Sequence, residues 1–530
     1  MEITYSCQGR NVTCSASDEN LQLTEDRRDG RHTVTVTAAK PVCLQKAFLD
    51  TDLTYTAGDL VMANGYQSWT ETKEFARGEY LNDLSRVPRP IQNRFHFKEY
   101  GSQAFRPMPK GERTGFDYAY VKGAKPFFIG SYNYRNAYLF IRFTDNTGRV
   151  RLESDVEGRM LEAGESFTVF DYVTEEDGSR YFDSFTPVTN RKLFGYTSWY
   201  NHYQDINAKL IDSTLEGTDE RFDLFQIDDG FETKVGDWLS VDPVKFPEGL
   251  SGIVEKIHGR KLLAGIWLAP FVAETESALM KEHPDWIAKD EEGKFIYAGG
   301  NWSGDYPLDL NNPEAVDYIR SVLRHYVNMG FDFFKLDFLY AVNLKPLAGK
   351  TRAETSEYAY ALLRGELEGK YILGCGATLF NAAEKFDFCR IGPDVSLKFD
   401  DVAYMRLFHP ERISTKVTLL NTIFRSPMNG RLFMNDPDVF LLRDDNISMD
   451  ADQRRSLATI NALFGSLLMT SDNIAEYTGE KKKLLEDTLA LFHKAEVLHY
   501  RRSGSEVVIV YRLEDRIHSL IYDMSSGKMR

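Results

Sequence analysis

Two charges sit in a stretch otherwise suited to burial. In FFKLDFLYA (Phe333–Ala341) a lysine and an aspartate stand two residues apart in an apolar run. With a strand period of two, Phe333, Lys335 and Asp337 share one face and Phe334, Leu336 and Phe338 the other. A buried unpaired charge is costly, so Lys335 and Asp337 pair with each other or meet a polar ligand. Other apolar runs end in the same kind of residue. Asp228 and Asp229 follow FDLFQI, Arg390 and Asp394 close FDFCRIGPD, and Asn435, Asp436 and Asp438 close RLFMNDPD. Asp472 follows SLLMTS, while Trp199, Tyr200, Trp267 and Cys375 close the remaining runs. Paired carboxylates beside cations and aromatic rings can divide one reaction between them. One carboxyl protonates a leaving oxygen, and the other attacks or supports an electron-poor carbon.

Other chemistries lack their residues. Of ten histidines, His202 alone lies just past a strand end, and no His-x-His set is visible. Asp436-Pro-Asp438 has no further ligand beside it, so it is read as bracing rather than cation binding. G-x-S-x-G, G-x-G-x-x-G and the Walker A pattern are all missing from the sequence. Neither a metal nor an organic cofactor is expected. What remains is a carboxylate pair in a pocket with aromatic walls, which is the equipment of glycoside hydrolysis.

Elements must bring these residues to one place. Residues 1–188 carry β-type runs such as RHTVTVTA, AYLFIRFTD and ESFTVFDYV, separated by DGR, DNTG and EAGE turns. They predict an N-terminal β-sandwich. From about residue 190 strands alternate with helices, in FGYTSWY, FDLFQIDDG, KLLAGIWLAPF, FDFFKLDFLYA, KYILGCG, FDFCRIGPD, RLFMNDPD and SLLMTSDNI. Between them, NPEAVDYIRSVLRHYVNMG has Pro313 at its start and Gly330 at its stop. Thr351 opens a capping box, and a third helix is expected from about Asp450 to Leu463. The pattern predicts a multidomain α/β-plus-β chain whose centre is a (β/α)8 TIM barrel spanning 189–497. The last residues, 498–530, read as a small β domain. In such a barrel functional groups project from the C-terminal strand ends, where these polar residues cluster.

Bulk properties agree with a globular protein acting on a neutral small molecule. Of 530 residues, 42% are hydrophobic and 27% charged, and the net charge of −15 argues against nucleic acid or an anionic membrane as partner. Aromatic content is 13%, which suits both apolar cores and sugar stacking. The N-terminus MEITYSCQGR lacks a signal-peptide pattern, and no apolar run approaches a membrane span. The five cysteines have no ligand spacing, so a cytoplasmic location is expected, in which the Asn11, Asn301 and Asn446 sequons carry no meaning. Whether the chain forms a homo-oligomer is left open.

FQIDDGFE with VGDW, GIWLAPF, HPDW, FFKLDFLYA, LGCG, RIGPD and MNDPD stand in the order found in glycoside hydrolase family 36. The chain resembles the short bacterial α-galactosidases of that family over about 194–445, and NGYQSW (64–69) extends the likeness. The resemblance implies a retaining exo-α-galactosidase with an N-terminal β-supersandwich, a barrel and a C-terminal β domain. Carried over by position, it implies Asp337 as nucleophile and Asp394 as acid/base. Asp228 and Asp229 would bind the hydroxyls at C4 and C6, beside Trp267. Lys335 would hold a hydroxyl and keep Asp337 ionised, with Cys375 and Arg390 near the 2-hydroxyl. Trp199, Tyr66 and Trp69 would complete the walls, Tyr66 standing where relatives carry Trp. The Cys-Gly turn leaves little room for an N-acetyl group. An α-N-acetylgalactosaminidase, another α-glycosidase, a transglycosylase and a catalytically silent sugar-binding protein are the competing readings.

Overall fold

The computed structural model describes the whole chain except residues 82, 85, 86, 95, 96 and 107–110. Two seven-stranded antiparallel sheets occupy the N-terminal part. One carries Glu2–Cys7, Val42–Thr54, Arg149–Ser154, Leu139–Thr144 and Glu112–Phe116 among its strands, and the other Arg31–Ala38, Ser166–Glu175, Phe127–Ser131 and Tyr118–Lys122. Alternation drives their packing. Arg31–Ala38 buries every second residue, so Val34 and Val36 enter a core with Tyr5, Leu44, Ile141 and Leu152.

The middle of the chain forms one parallel sheet. Its strands are β1 (Leu193–Thr197), β2 (Leu224–Ile227), β3 (Leu263–Leu268), β4 (Phe333–Leu336), β5 (Tyr371–Gly374), β6 (Phe388–Arg390), β7 (Met434–Asp436), β8 (Val439–Phe440) and β9 (Leu467–Thr470). Hydrogen bonding runs β7-β6-β5-β4-β3-β2-β1-β9-β8. The two ends of this path, β7 and β8, belong to one segment interrupted at Pro437-Asp438, where Asp438 takes φ +71°. One half pairs with β6 and the other with β9, giving a TIM-type core. Its strands are short and buried along nearly their whole length, only Leu263 and Tyr371 at two strand starts being part-exposed, as parallel strands covered by helices must be.

The helices begin and end where their sequences dictate. In α1 (Pro313–Met329) the Asn312 side chain accepts from Glu314 N, and Gly330 stops the helix at φ +106°. In α2 (Arg352–Glu366) Thr351 and Glu354 form a reciprocal capping box, and Asp450 and Gln453 do the same for α3 (Ala451–Phe464). The last sheet has four antiparallel strands and starts at Ala495, so the expected boundary after residue 497 falls inside its first strand, Ala495–Ser503. No described helix is long and apolar enough to cross a membrane.

Candidate active site

The strand ends converge on a cavity of about 720 Å³. Its lining includes Trp69, Trp199, Asp228, Asp229, Trp267, Lys335, Asp337 and Asp394. Register explains part of this convergence. Trp267 of β3 is the direct cross-strand partner of Lys335 of β4, so the two side chains share a face, and Asp337 follows one alternation later.

Asp337 lies just past the end of β4. The next residue, Phe338, adopts left-handed backbone with φ +56°, a conformation that a bulky residue takes only under constraint. In that turn Phe338 N donates to Asp337 Oδ1 at 2.9 Å, while Trp267 Nε1 donates to Oδ2 at 3.0 Å. Burial pushes the Asp337 carboxyl up; the Lys335 ammonium opposes this, and Asp394 adds to it. Positive-φ non-glycine backbone also occurs at two further residues that line the cavity, Tyr203 (φ +50°) and Trp302 (φ +49°).

Lys335 is not paired with Asp337 by a hydrogen bond. Its Nζ donates to Asp228 Oδ2 at 2.8 Å. Burial alone would drive this ammonium down, but the negative groups around it, Asp228 foremost and Asp337 among them, together outweigh that, and the net displacement is upward. Asp228 Oδ2 also accepts from Gln226 Nε2 (2.7 Å) and Thr197 Oγ1 (3.0 Å), and Oδ1 accepts from Asp229 N (3.0 Å). Lys335 is therefore anchored in a charge-assisted network on Asp228. Lys335 acts on Asp337 through its field alone.

Asp229 accepts from Trp302 Nε1 at 2.9 Å and from Gln204 Nε2 at 3.1 Å, and its carboxyl is in hydrogen-bonding contact with that of Glu232. Burial raises both carboxyls, Glu232 the further, so Glu232 holds the proton and donates to Asp229.

On the opposite strands, Arg390 at the end of β6 meets three carboxylates: Asp394 at 3.0 Å, Asp436 at 2.7 Å and Asp438 at 3.0 Å. Asp438 further accepts from Val395 N at 2.7 Å and from the Tyr200 hydroxyl. This fixes the backbone next to Asp394 from below. Burial, with Arg390 opposing it and Asp394 adding to it, pushes Asp438 up to about 7. Asp436 and Asp438 thus brace Arg390 at the mouth.

The N-terminal part enters the site through residues 64–72. Arg425, fully buried, donates to Asn64 Oδ1 (2.9 Å), Gly65 O (3.2 Å), Gln67 O (3.1 Å), Ser68 O (2.5 Å) and Ile391 O (2.8 Å). With this loop docked, Trp69 lies against Gly376, where a Cβ would stand 3.1 Å from the indole, and edge-on to Phe338 and Tyr340.

A family model described as Melibiase matches residues 175–367. Among curated relatives, α-galactosidase 2 of Pediococcus pentosaceus is 29% identical over 146 residues, covering 27% of this chain and 18% of the relative. The α-xylosidase XylQ of Lactiplantibacillus pentosus is 27% identical over 252 residues, covering 42% of this chain and 30% of the relative. The chain thus spans well under half the length of these relatives. Solved structures extend the likeness to nearly the whole chain. TtGalA, an α-galactosidase from Thermus thermophilus bound to p-nitrophenyl α-D-galactopyranoside, superposes with a TM-score of 0.71 at 24% identity, covering 98% of each chain. The family 36 α-galactosidase AgaA of Geobacillus stearothermophilus, with raffinose, gives 0.62 at 13% identity, covering 94% of this chain and 72% of AgaA. These solved structures share their fold with this chain.

Three residues expected at the site do not line the cavity. Tyr66 is buried among Phe105, Phe116 and Tyr138, and its hydroxyl accepts from Asn343 Nδ2 at 2.7 Å. It belongs to the interface between the N-terminal sheets and the barrel because its ring has an apolar niche and its oxygen a buried donor. Cys375 and Arg390 lie beneath the floor, 1% and 4% exposed, with Arg390 consumed by its three carboxylates. Sequence reading missed Trp302, Gln204 and Glu232. Trp302 was passed over as part of a sequon, yet a tryptophan in a loop as polar as NWSG is itself a signal. Tyr100, His409 and Glu411 were missed because they come from loops without periodicity.

Proposed function

We propose that this protein is a retaining exo-α-galactosidase that releases terminal α-linked galactose from oligosaccharides by double displacement. The observation that carries the reading is that Asp337 and Asp394, 57 residues apart by their numbering, line one cavity together with Asp228 and Asp229. In the first step Asp337 attacks the anomeric carbon while Asp394 gives its proton to the glycosidic oxygen, and the bond to the leaving group breaks. The Trp267 and Phe338 N–H groups hold the two Asp337 oxygens in place. In the second step Asp394, now ionised, takes a proton from water, which displaces Asp337 and restores both acids. Arg390 spreads its charge over Asp436 and Asp438 as well, so it orients Asp394 without claiming it alone.

Asp228 and Asp229 are the acceptors for the axial 4-hydroxyl and the 6-hydroxyl. Because both are buried and held by their own donors, an epimer that misses them forgoes their charge-assisted hydrogen bonds, which is where selectivity for galactose would arise. Trp69 lying on Gly376 narrows the space above Cys375, which speaks against an acetamido group. The similarity to an α-xylosidase keeps a second α-glycoside reading open to test. Hydrolysis of the nitrophenyl α-glycosides of galactose, N-acetylgalactosamine, glucose and xylose decides between them. The galactoside is expected to lead by about tenfold or more in kcat/KM. Absence of turnover on it defeats the proposal.

A further inference from the structure

Part of the cavity wall has no task in the reaction above. It is built from the loop carrying Phe97, Lys98 and Tyr100 and from the segment carrying Met405, His409 and Ile413. Two contacts tie this wall to the expected acid/base. His409 Nε2 donates to the Lys98 carbonyl, which can only accept, at 2.8 Å. Farther along the same segment, directly after Ile413, Ser414 N donates to the Asp394 carbonyl at 3.0 Å. The loop of Lys98 is thus docked on the segment that holds the backbone of Asp394, the residue that meets the leaving oxygen.

Lys98 differs from the other lysine and the arginine that line the cavity. Lys335 is held by Asp228 at 2.8 Å, and Arg412 by Glu71 at 3.1 Å and Asp400 at 3.3 Å. Among the described residues Lys98 Nζ has neither an ion pair nor a hydrogen bond, and it keeps accessible surface although the side chain is half-buried. Glu99 and Asp305 act on it only through their fields, against the burial that lowers it. Three donors with no protein acceptor therefore face the cavity, where a ligand can satisfy them. The surroundings select the acceptor. Asp205, Asp228, Asp229, Asp337, Asp394 and Glu411 line the same space, so an anionic group would be repelled and neutral hydroxyl oxygens are favoured. Phe97, Met405 and Ile413 add apolar surface for the C–H groups of a ring. The cavity of about 720 Å³ is larger than one pyranose ring requires.

We propose that Lys98 determines leaving-group specificity by donating hydrogen bonds to the hydroxyl oxygens of a neutral sugar next to the galactosyl position. The inference rests on the galactosidase reading. Its test compares kcat/KM for the disaccharide galactosyl-α-1,6-glucose with that for phenyl α-galactoside, whose leaving group offers no oxygen beyond the glycosidic one. Lys98→Met keeps the length and apolar stem of the side chain and removes the donors. It is expected to lower the ratio of disaccharide to phenyl galactoside about tenfold. Lys98→Arg, which still donates, is expected to hold the ratio to within about threefold of the parent. Because each ratio is taken within one protein, a general loss of folded enzyme cancels. An unchanged ratio in Lys98→Met, with both substrates weakened equally or neither, overturns the role of Lys98, as does a fall in Lys98→Arg as large as that in Lys98→Met. A parent that cleaves phenyl α-galactoside but not the disaccharide overturns this inference alone. A parent that cleaves neither removes the galactosidase reading and this inference with it.

Discussion

The carboxyl of Asp229 shows how a side chain that lines the cavity can be aimed by one that does not. Its oxygens are met by Trp302, Gln204 and the Glu232 carboxyl, which keeps a proton because two buried carboxylates in contact cannot both ionise. Glu232 is a positioning residue in this account. Glu232→Gln retains a donor toward Asp229 and is expected to stay within about threefold of the parent in KM. Glu232→Leu leaves Asp229 short of a donor and is expected to raise KM about tenfold with a smaller change in kcat. Steady-state kinetics on a nitrophenyl galactoside check both, and a Glu232→Leu enzyme with parental KM removes this role. At this scale the sequence was legible for most of the charges that close the apolar strands, Arg390 being the exception. Asp228, Asp229, Lys335, Asp337 and Asp394 all reach the cavity. It was not legible in partners. That Lys335 turns to Asp228 rather than to Asp337 depends on which strands are neighbours in space, and Glu232 looks like any loop acid.

Elements set the geometry that those residues inherit. The turn after β4 is the clearest instance, because the left-handed Phe338 both ends the strand and returns its N–H to Asp337. A second instance is the loop of residues 64–72, which the barrel holds through Arg425. That guanidinium has no carboxylate partner within the loop. Four oxygens of the loop and Ile391 O surround it, and burial pushes it down to about 10. Truncating it would orphan several carbonyls at once. Arg425→Met is therefore expected to lower the unfolding temperature and to raise KM by about tenfold through displacement of Trp69, a loss of about 2–3 kcal/mol in buried hydrogen bonding. Thermal unfolding followed beside kinetics checks this. A variant with parental stability and KM shows that the loop docks by other means. Helix starts and stops at Asn312, Gly330, Thr351 and Asp450 were readable because caps are local chemistry. The docking of residues 64–72 was not, since Arg425 lies hundreds of residues away in the chain.

At the scale of the molecule, the period of strand and helix was enough to indicate a barrel core, because nearly every parallel strand must be apolar throughout and end in function. The split of one segment into β7 and β8 at Pro437-Asp438 was beyond pattern reading; it follows from the need of its two halves to pair with different neighbours. Its consequence is functional, because the kink turns Asp438 toward Arg390 and Val395 and so steadies Asp394. The two expected catalytic acids thus arrive at one cavity from separate strand ends, Asp337 beyond β4 and Asp394 beyond β6. Azide trapping with Asp337→Ala and Asp394→Ala tests this convergence most directly. With Asp337 shortened, azide should enter from the vacated side and yield the β-galactosyl azide. With Asp394 shortened, it should intercept the galactosyl-enzyme from the other face and yield the α anomer. Opposite anomers from the two variants are the predicted result. The same anomer from both, or no recovery of turnover in either, contradicts the pairing of these acids across one sugar.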